Sequence, residues 1–105
     1  MKKEAKIKWI DSAKADVRSI KKHIQKNSPK FAKIQVQRII SKTDMLENHP
    51  QAGRLLDVGD DREFRYLIQG NYRIIYLVVS LQELHIIRVW HMAKDFDPLK
   101  DLEKK

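Results

Sequence analysis

The chain has 105 residues, no cysteine and a formal net charge of +8, from 22 Lys+Arg against 14 Asp+Glu. That length fits one domain, residues 1–105, burying roughly 60–65% of the surface its unfolded form exposes. The missing cysteines exclude a disulfide framework, a thiolate nucleophile and a cysteine zinc site, and no apolar run approaches the ~20 residues of a membrane span. The basic N-terminus has no apolar stretch behind it, so no signal peptide is read and a cytoplasmic location is expected.

Lys6-Ile7-Lys8-Trp9-Ile10 alternates charge and bulk and predicts a short strand. Asp11 or Ser12 is placed to cap a first helix, with Ala13, Val17, Ile20 and Ile24 on one face and Lys14, Arg18, Lys21 and Gln25 beside them. Asn27-Ser28-Pro29 ends that helix and starts a second over residues 29–48, capped by Ser28. Its core stripe is Ala32, Val36, Ile39, Thr43 and Leu46, broadened by Phe31 and Ile40. The short junction implies an antiparallel helical hairpin. Residues 49–54, His49-Pro50-Gln51-Ala52-Gly53-Arg54, carry helix-end signals.

Three strands follow: residues 63–69, 72–79 and 84–91. Gly70-Asn71 is a two-residue hairpin turn, and Ser80-Leu81-Gln82-Glu83 carries the next turn. Asp97-Pro98 caps a short terminal helix that docks Leu99 and Leu102. The order β-α-α-β-β-β predicts an α+β fold, the helical hairpin packed on a small, mainly antiparallel sheet. Pairing across Gly70-Asn71 puts Phe64, Tyr66, Ile68, Arg73, Ile75 and Leu77 on one face and Arg65, Leu67, Tyr72, Ile74, Tyr76 and Val78 on the other. Two helices do not cover both apolar faces, so one is expected to stay partly open for a partner.

Charge is uneven along the chain. Residues 1–49 hold 13 basic and 5 acidic side chains, whereas residues 50–105 hold 9 of each. The first half uses mostly Lys, which suits a solvated helix surface or attraction to an acidic partner or nucleic acid. The second half uses Arg54, Arg62, Arg65, Arg73 and Arg88. Arginine beside Tyr66, Tyr72, Tyr76 and Trp90 can bind phosphate and stack on bases, or simply span the sheet surface into water. His91, at a strand end, has the chemistry of a general acid or base. The four histidines lack metal-ligand spacing, and no phosphate-binding or dinucleotide motif occurs, so neither a metal nor a cofactor is expected.

The junction Ser28-Pro29 with Ala32, the loop from His49 to Arg54, the hairpin from Arg65 to Tyr76 and the end Ile87-Arg88-Val89-Trp90-His91 together resemble the ParE/RelE superfamily of bacterial type II toxin–antitoxin (plasmid stabilisation) toxins. The long helical hairpin and the Pro-Xaa-Xaa-Gly-Arg loop are most similar to the ParE branch. The resemblance implies growth inhibition through DNA gyrase, a ParD-like antitoxin and a toxin–antitoxin hetero-oligomer. Arg54, Arg65, Arg73, Arg88, Trp90, His91 and Lys94 are then the residues expected to bind target or antitoxin.

The RelE branch implies an alternative, metal-independent cleavage of mRNA on the ribosome, with Arg73 stabilising the phosphate and His91 as the acid. This chain has no lysine between Lys42 and Lys94 to act as base, and Glu63 is the only nearby strand carboxylate. A non-toxic, basic nucleic-acid-binding module is the third reading. The last hairpin separates them: a four-residue loop pairs Val79 with Leu84 and Tyr72 with His91, setting His91 on the face opposite Arg73, whereas a three- or five-residue loop shifts the register by one and puts both on one face.

Overall fold

The computed structural model describes residues 4–102. Strand β1 (Lys6–Trp9) leads into α1 (Asp11–Gln25), then α2 (Pro29–Lys42) and a 3-10 turn over Thr43–Glu47. A meander follows: β2 (Arg54–Leu56), β3 (Phe64–Gln69), β4 (Tyr72–Ser80) and β5 (Glu83–His91), closed by the one-turn helix α3 (Pro98–Asp101). The sheet order is β1-β5-β4-β3-β2, antiparallel except where β1 joins β5 in parallel. The helical hairpin carries the chain from β1 at one edge of the sheet to β2 at the other, and the meander then returns to lay β5 beside β1. The fold is α+β, as expected.

The helix ends obey different rules. Ser28 caps α2 as predicted, its Oγ accepting from the Phe31 amide at 3.1 Å, with Pro29 at the first helical position. At α1 the expectation fails: the capping position is Ile10, which makes no side-chain cap bond. A capping side chain needs extended backbone, and here Ile10 is extended while Asp11 and Ser12 are already helical. Ser12 instead donates its hydroxyl to the Ile87 carbonyl at 2.7 Å, tying α1 to β5. Helix α2 stops six residues before its predicted end. Thr43 donates its Oγ1 to the Ile40 carbonyl at 2.7 Å, and that local bond competes with the helical ladder. The chain tightens to a 3-10 turn that still buries Leu46.

The β3–β4 register is the predicted one, Ile68 opposite Arg73 and Tyr66 opposite Ile75, with Gly70 at φ 59° in the turn. The β4–β5 turn is shorter than the stretch left between the strands read from sequence, because Ser80 and Glu83 join the strands. Only Leu81 and Gln82 lie between the strands, Ser80 faces Glu83, and Val78 rather than Val79 faces Leu84. Two irregularities, skipping Val79 in β4 and Ile87 in β5, cancel by the far end, so Tyr72 faces His91 as the four-residue loop would have set it. The second irregularity lets Ile86 and Val89, three residues apart, both face the helices. Strand β2 was not predicted; three residues are too few to show alternation.

Two cores flank the sheet. On the helix side Ala13, Ile39 and Leu46 pack against Leu67, Tyr72, Ile74, Tyr76, Leu84, Ile86 and Val89. Phe31 and Ile40 do not join them: both are exposed, at 46% and 41%. On the outer side Val58, Phe64, Ile75 and Leu102 form a smaller core, with Leu56, Tyr66, Leu77, Ile87, Trp90 and Phe96 around it. The outer face is therefore more covered than expected, because the loop before β3 and the C-terminal segment fold over it. Leu102 docks as predicted, while the side chain of Leu99 lies outside those described. The open remainder is the end holding Ile68 and Arg73.

Candidate functional site

The arginines of the second half share a sheet but not a situation. Arg65 donates its Nε to Glu63 Oε2 at 2.6 Å and an Nη to the Gly53 carbonyl at 2.8 Å. Gln51 donates to the same Glu63 oxygen at 2.8 Å, and the Gly53 amide donates to the Tyr76 hydroxyl at 2.9 Å. These bonds clamp residues 51–53 onto the sheet. Gly53 is required there: a Cβ would lie 2.7 Å from the Tyr76 hydroxyl and 2.8 Å from the Tyr66 carbonyl. The Arg65 hydrogen bond, helped by Gln51, holds the Glu63 carboxyl below the usual range against partial desolvation. Glu63 is thus a weak base with its oxygen already engaged.

Arg88 reaches around the sheet edge to α1. Its Nε and Nη2 grip both carboxylate oxygens of Asp16, at 2.8 and 3.0 Å, and its Nη1 donates to the Asp101 carbonyl at 3.2 Å. Asp16 also accepts from the Val89 amide at 2.9 Å, closing a strand edge that β1 is too short to reach. The Asp16 hydrogen bonds push the Arg88 guanidinium's pKa up. Trp90 lies under Arg88 at 5.1 Å, meets Phe96 edge-on at 5.1 Å and donates its indole N–H to the Lys94 carbonyl at 3.1 Å. Arg88 and Trp90 thereby join α1, β5 and the C-terminal segment; the Lys94 side chain is exposed.

Arg73 and His91 sit in adjacent cross-strand pairs, Arg73 with Trp90 and Tyr72 with His91. Neighbouring pairs face opposite ways. His91 stands edge-on to Tyr72 on the helix side at 5.1 Å, its Nδ1 accepting from the Ala93 amide at 3.0 Å. Arg73 is on the outer side, stacked over Tyr66 at 5.0 Å, and its Nε is buried without an acceptor among the described residues. Arg54, exposed, stands directly opposite Tyr66 on the same face. On the far side of the molecule Trp9, Val17 and Ile40 line an apolar groove of about 390 Å³ between the helices, rimmed by Lys14 and Arg18.

Comparison with known families gives a match over residues 7–96 to the family described as the ParE toxin of type II toxin-antitoxin system, parDE. This chain belongs to the ParE toxin family. It is also similar to a chain of the solved chromosomal ParDE toxin-antitoxin system from P. aeruginosa, with TM-score 0.71 and 25% identity over 84% of this chain and 96% of that one. Comparison with curated protein sequences finds no match. The protein is a ParE-type toxin of a type II toxin–antitoxin system.

In this ParE-type chain the residues singled out from sequence divide in two. Arg65, Arg88 and Trp90 are engaged in internal bonds. Arg54, Arg73 and Lys94 face outward, and His91 lies apart on the helix side. Sequence reasoning missed Asp16, 72 residues from Arg88, which nothing in the local pattern marks. It also missed the Gly53–Tyr76 clamp, whose one signal was the glycine in the loop. The groove was missed because Ile40 was counted as core.

Proposed function

We propose that this ParE-type toxin arrests growth in the cytoplasm by binding DNA gyrase, without chemistry of its own, and that a ParD-like antitoxin neutralises it. The observation that carries the non-enzymatic reading is the alternation of Arg73 and His91. Cleavage through the 2′-hydroxyl needs a base, an acid and a cation converging on one phosphate. Here the cation and the candidate acid face opposite sides of the sheet, and the candidate base, Glu63, is ion-paired with Arg65. The antitoxin reading is supported by membership of the parDE family and by the likeness to the ParDE system. The groove of Trp9, Val17 and Ile40, with Lys14 and Arg18 at its rim, suits an amphipathic segment with acidic flanks that orders on binding. Purified toxin is expected to inhibit gyrase supercoiling or trap cleaved DNA while mRNA in a translation extract stays intact. Site-specific mRNA cleavage with supercoiling unaffected would overturn this reading.

A further inference from the structure

Three arginines of the second half each have a carboxylate: Arg62 has Asp60, Arg65 has Glu63 and Arg88 has Asp16. The helical hairpin is built the other way. Between Ala13 and Thr43 stand nine lysines and arginines and a single acid, Asp16. That acid is turned away from them, onto Arg88. Every lysine and arginine from Lys14 to Arg38 is exposed, and none forms an ion pair with a described residue.

Their positions work against the helices that carry them. Lys14, Arg18, Lys22 and Lys26 follow one another at steps of four, and like charges at that spacing repel. The helix dipole favours Lys22 and Lys26 at the end of α1, but it disfavours Lys14 near the start. Lys30 sits in the first turn of α2, where that helix has no acid. Solubility needs charge of either sign, and a mixed row supplies it without repulsion. A row of one sign, kept against the local electrostatics, fits a partner that is itself a row of the opposite sign.

The DNA duplex is such a partner, with one negative charge per ~1.7 Å of axis. From Lys14 to Lys26 the row is about 18 Å long, the span of about five phosphates on each strand. A tight junction, with the Asn27 and Ser28 amides donating to the Ile24 carbonyl at 3.1 and 3.0 Å, sets Lys30 and Lys33 close to the end of that row. Exposed Gln25 and Asn27 add amide donors for phosphate oxygens. Single strands need aromatic platforms, and Phe31 is the only Phe, Tyr or Trp in either helix. An anionic membrane needs apolar side chains to insert, and Ala15, Ser19 and Gln25 between the cations offer none of any size.

We propose that the outer surface of the helical hairpin, centred on Lys22, Lys26 and Lys30, binds the phosphate backbone of duplex DNA without sequence preference. The toxin then meets gyrase on the DNA that the enzyme holds. This deepens the gyrase reading above, and the choice of DNA over duplex RNA rests on that reading.

The test uses the full-length toxin and a fluorescent 20-base-pair DNA duplex, with affinity read by anisotropy at rising salt. About six phosphate contacts are expected to weaken binding roughly 1,000-fold between about 50 and 200 mM salt. Lys22→Gln, Lys26→Gln and Lys30→Gln together should lower the salt slope by about three, with melting unchanged or raised because repulsion is relieved. Lys6 and Lys8 alternate with Ile7 and Trp9, which face the helices, so they lie on the other side of the sheet. Lys6→Gln with Lys8→Gln should leave affinity within about threefold of wild type. In a supercoiling assay the triple variant should need roughly tenfold more toxin for half inhibition, while its binding to gyrase without DNA stays within about twofold. A salt slope shared by the triple variant and wild type overturns the surface and leaves the gyrase reading standing. Inhibition by the triple variant equal to wild type does the same. So does loss of its binding to gyrase without DNA, which assigns these cations to the enzyme itself. Tighter binding to a duplex RNA of the same length overturns DNA in favour of RNA. Duplex binding with the expected slope, but no gyrase inhibition by wild type, removes the gyrase reading and supports the surface.

Discussion

The two faces of the sheet are stabilised differently. The helix face meets a hairpin of two long helices through fully buried Ile39, Leu46, Ile74 and Tyr76. The outer face is closed by single residues, Val58 from a loop and Leu102 just past a one-turn helix, and by Arg88 bridging to Asp16. Part of it is left to Arg73, whose buried Nε has no acceptor among the described residues. A face covered by regular elements has little left to offer a partner, whereas one covered by short segments keeps edges, open apolar side chains and unmet donors. The contrast separates the residues that hold this toxin together from those free to meet another molecule.

The sharpest test of the contrast is stability. Ile39→Ala leaves a cavity among rigid elements and is expected to cost about 3 kcal/mol. Leu102→Ala, near the chain end where neighbours can collapse, is expected to cost about 1–2 kcal/mol. Urea unfolding of both decides it, and equal losses would mean the outer core is as rigid as the inner. Next, Gly53→Ala drives a methyl into the Tyr76 hydroxyl and the Tyr66 carbonyl, and about 2 kcal/mol is expected. The double substitution Gly53→Ala with Tyr76→Phe should recover part of it, because the closest contact atom is gone.

Asp16→Asn retains the shape but removes the charge that holds Arg88. Both side chains are 17% exposed, so solvent moderates the loss, and about 1–2 kcal/mol is expected by thermal melting. A smaller effect is the pH dependence at Glu63. Its folded-state pKa lies below the unfolded value, so its stabilisation is present above the ordinary carboxylate range and fades as pH falls through and below it. Melting curves of Glu63→Gln between pH 3 and pH 7 should therefore show a shallower acid decline than wild type. Last, His91→Ala is expected to leave growth arrest within about twofold of wild type at matched folded levels, consistent with its place away from Arg73. Full loss of toxicity with unchanged melting would contradict the non-enzymatic reading.

Much of the architecture was legible from residues alone. A helical stripe such as Ala13-Val17-Ile20-Ile24, a Ser-Pro start and a Gly-Asn turn act over a few positions, where backbone geometry and local hydrogen bonds decide the outcome. The candidate site was legible as a set of residue types. Which members were available to a partner was not, because Arg65, Arg73 and Arg88 look alike along their strands.

By itself the sequence determined the helical hairpin, the alternating strands and the hairpin register that sets Arg73 and Tyr66 on one face, since each follows from the period of side-chain burial. Only the tertiary structure decided the three-residue β2, the cancelling irregularities at Val79 and Ile87, the cover that Leu102 lends the outer face, and Asp16 as the partner of Arg88. Those depend on contacts between segments tens of residues apart, whose pairing is settled by how apolar surfaces and unmet hydrogen-bonding groups fit once the layers meet, and no local period encodes that.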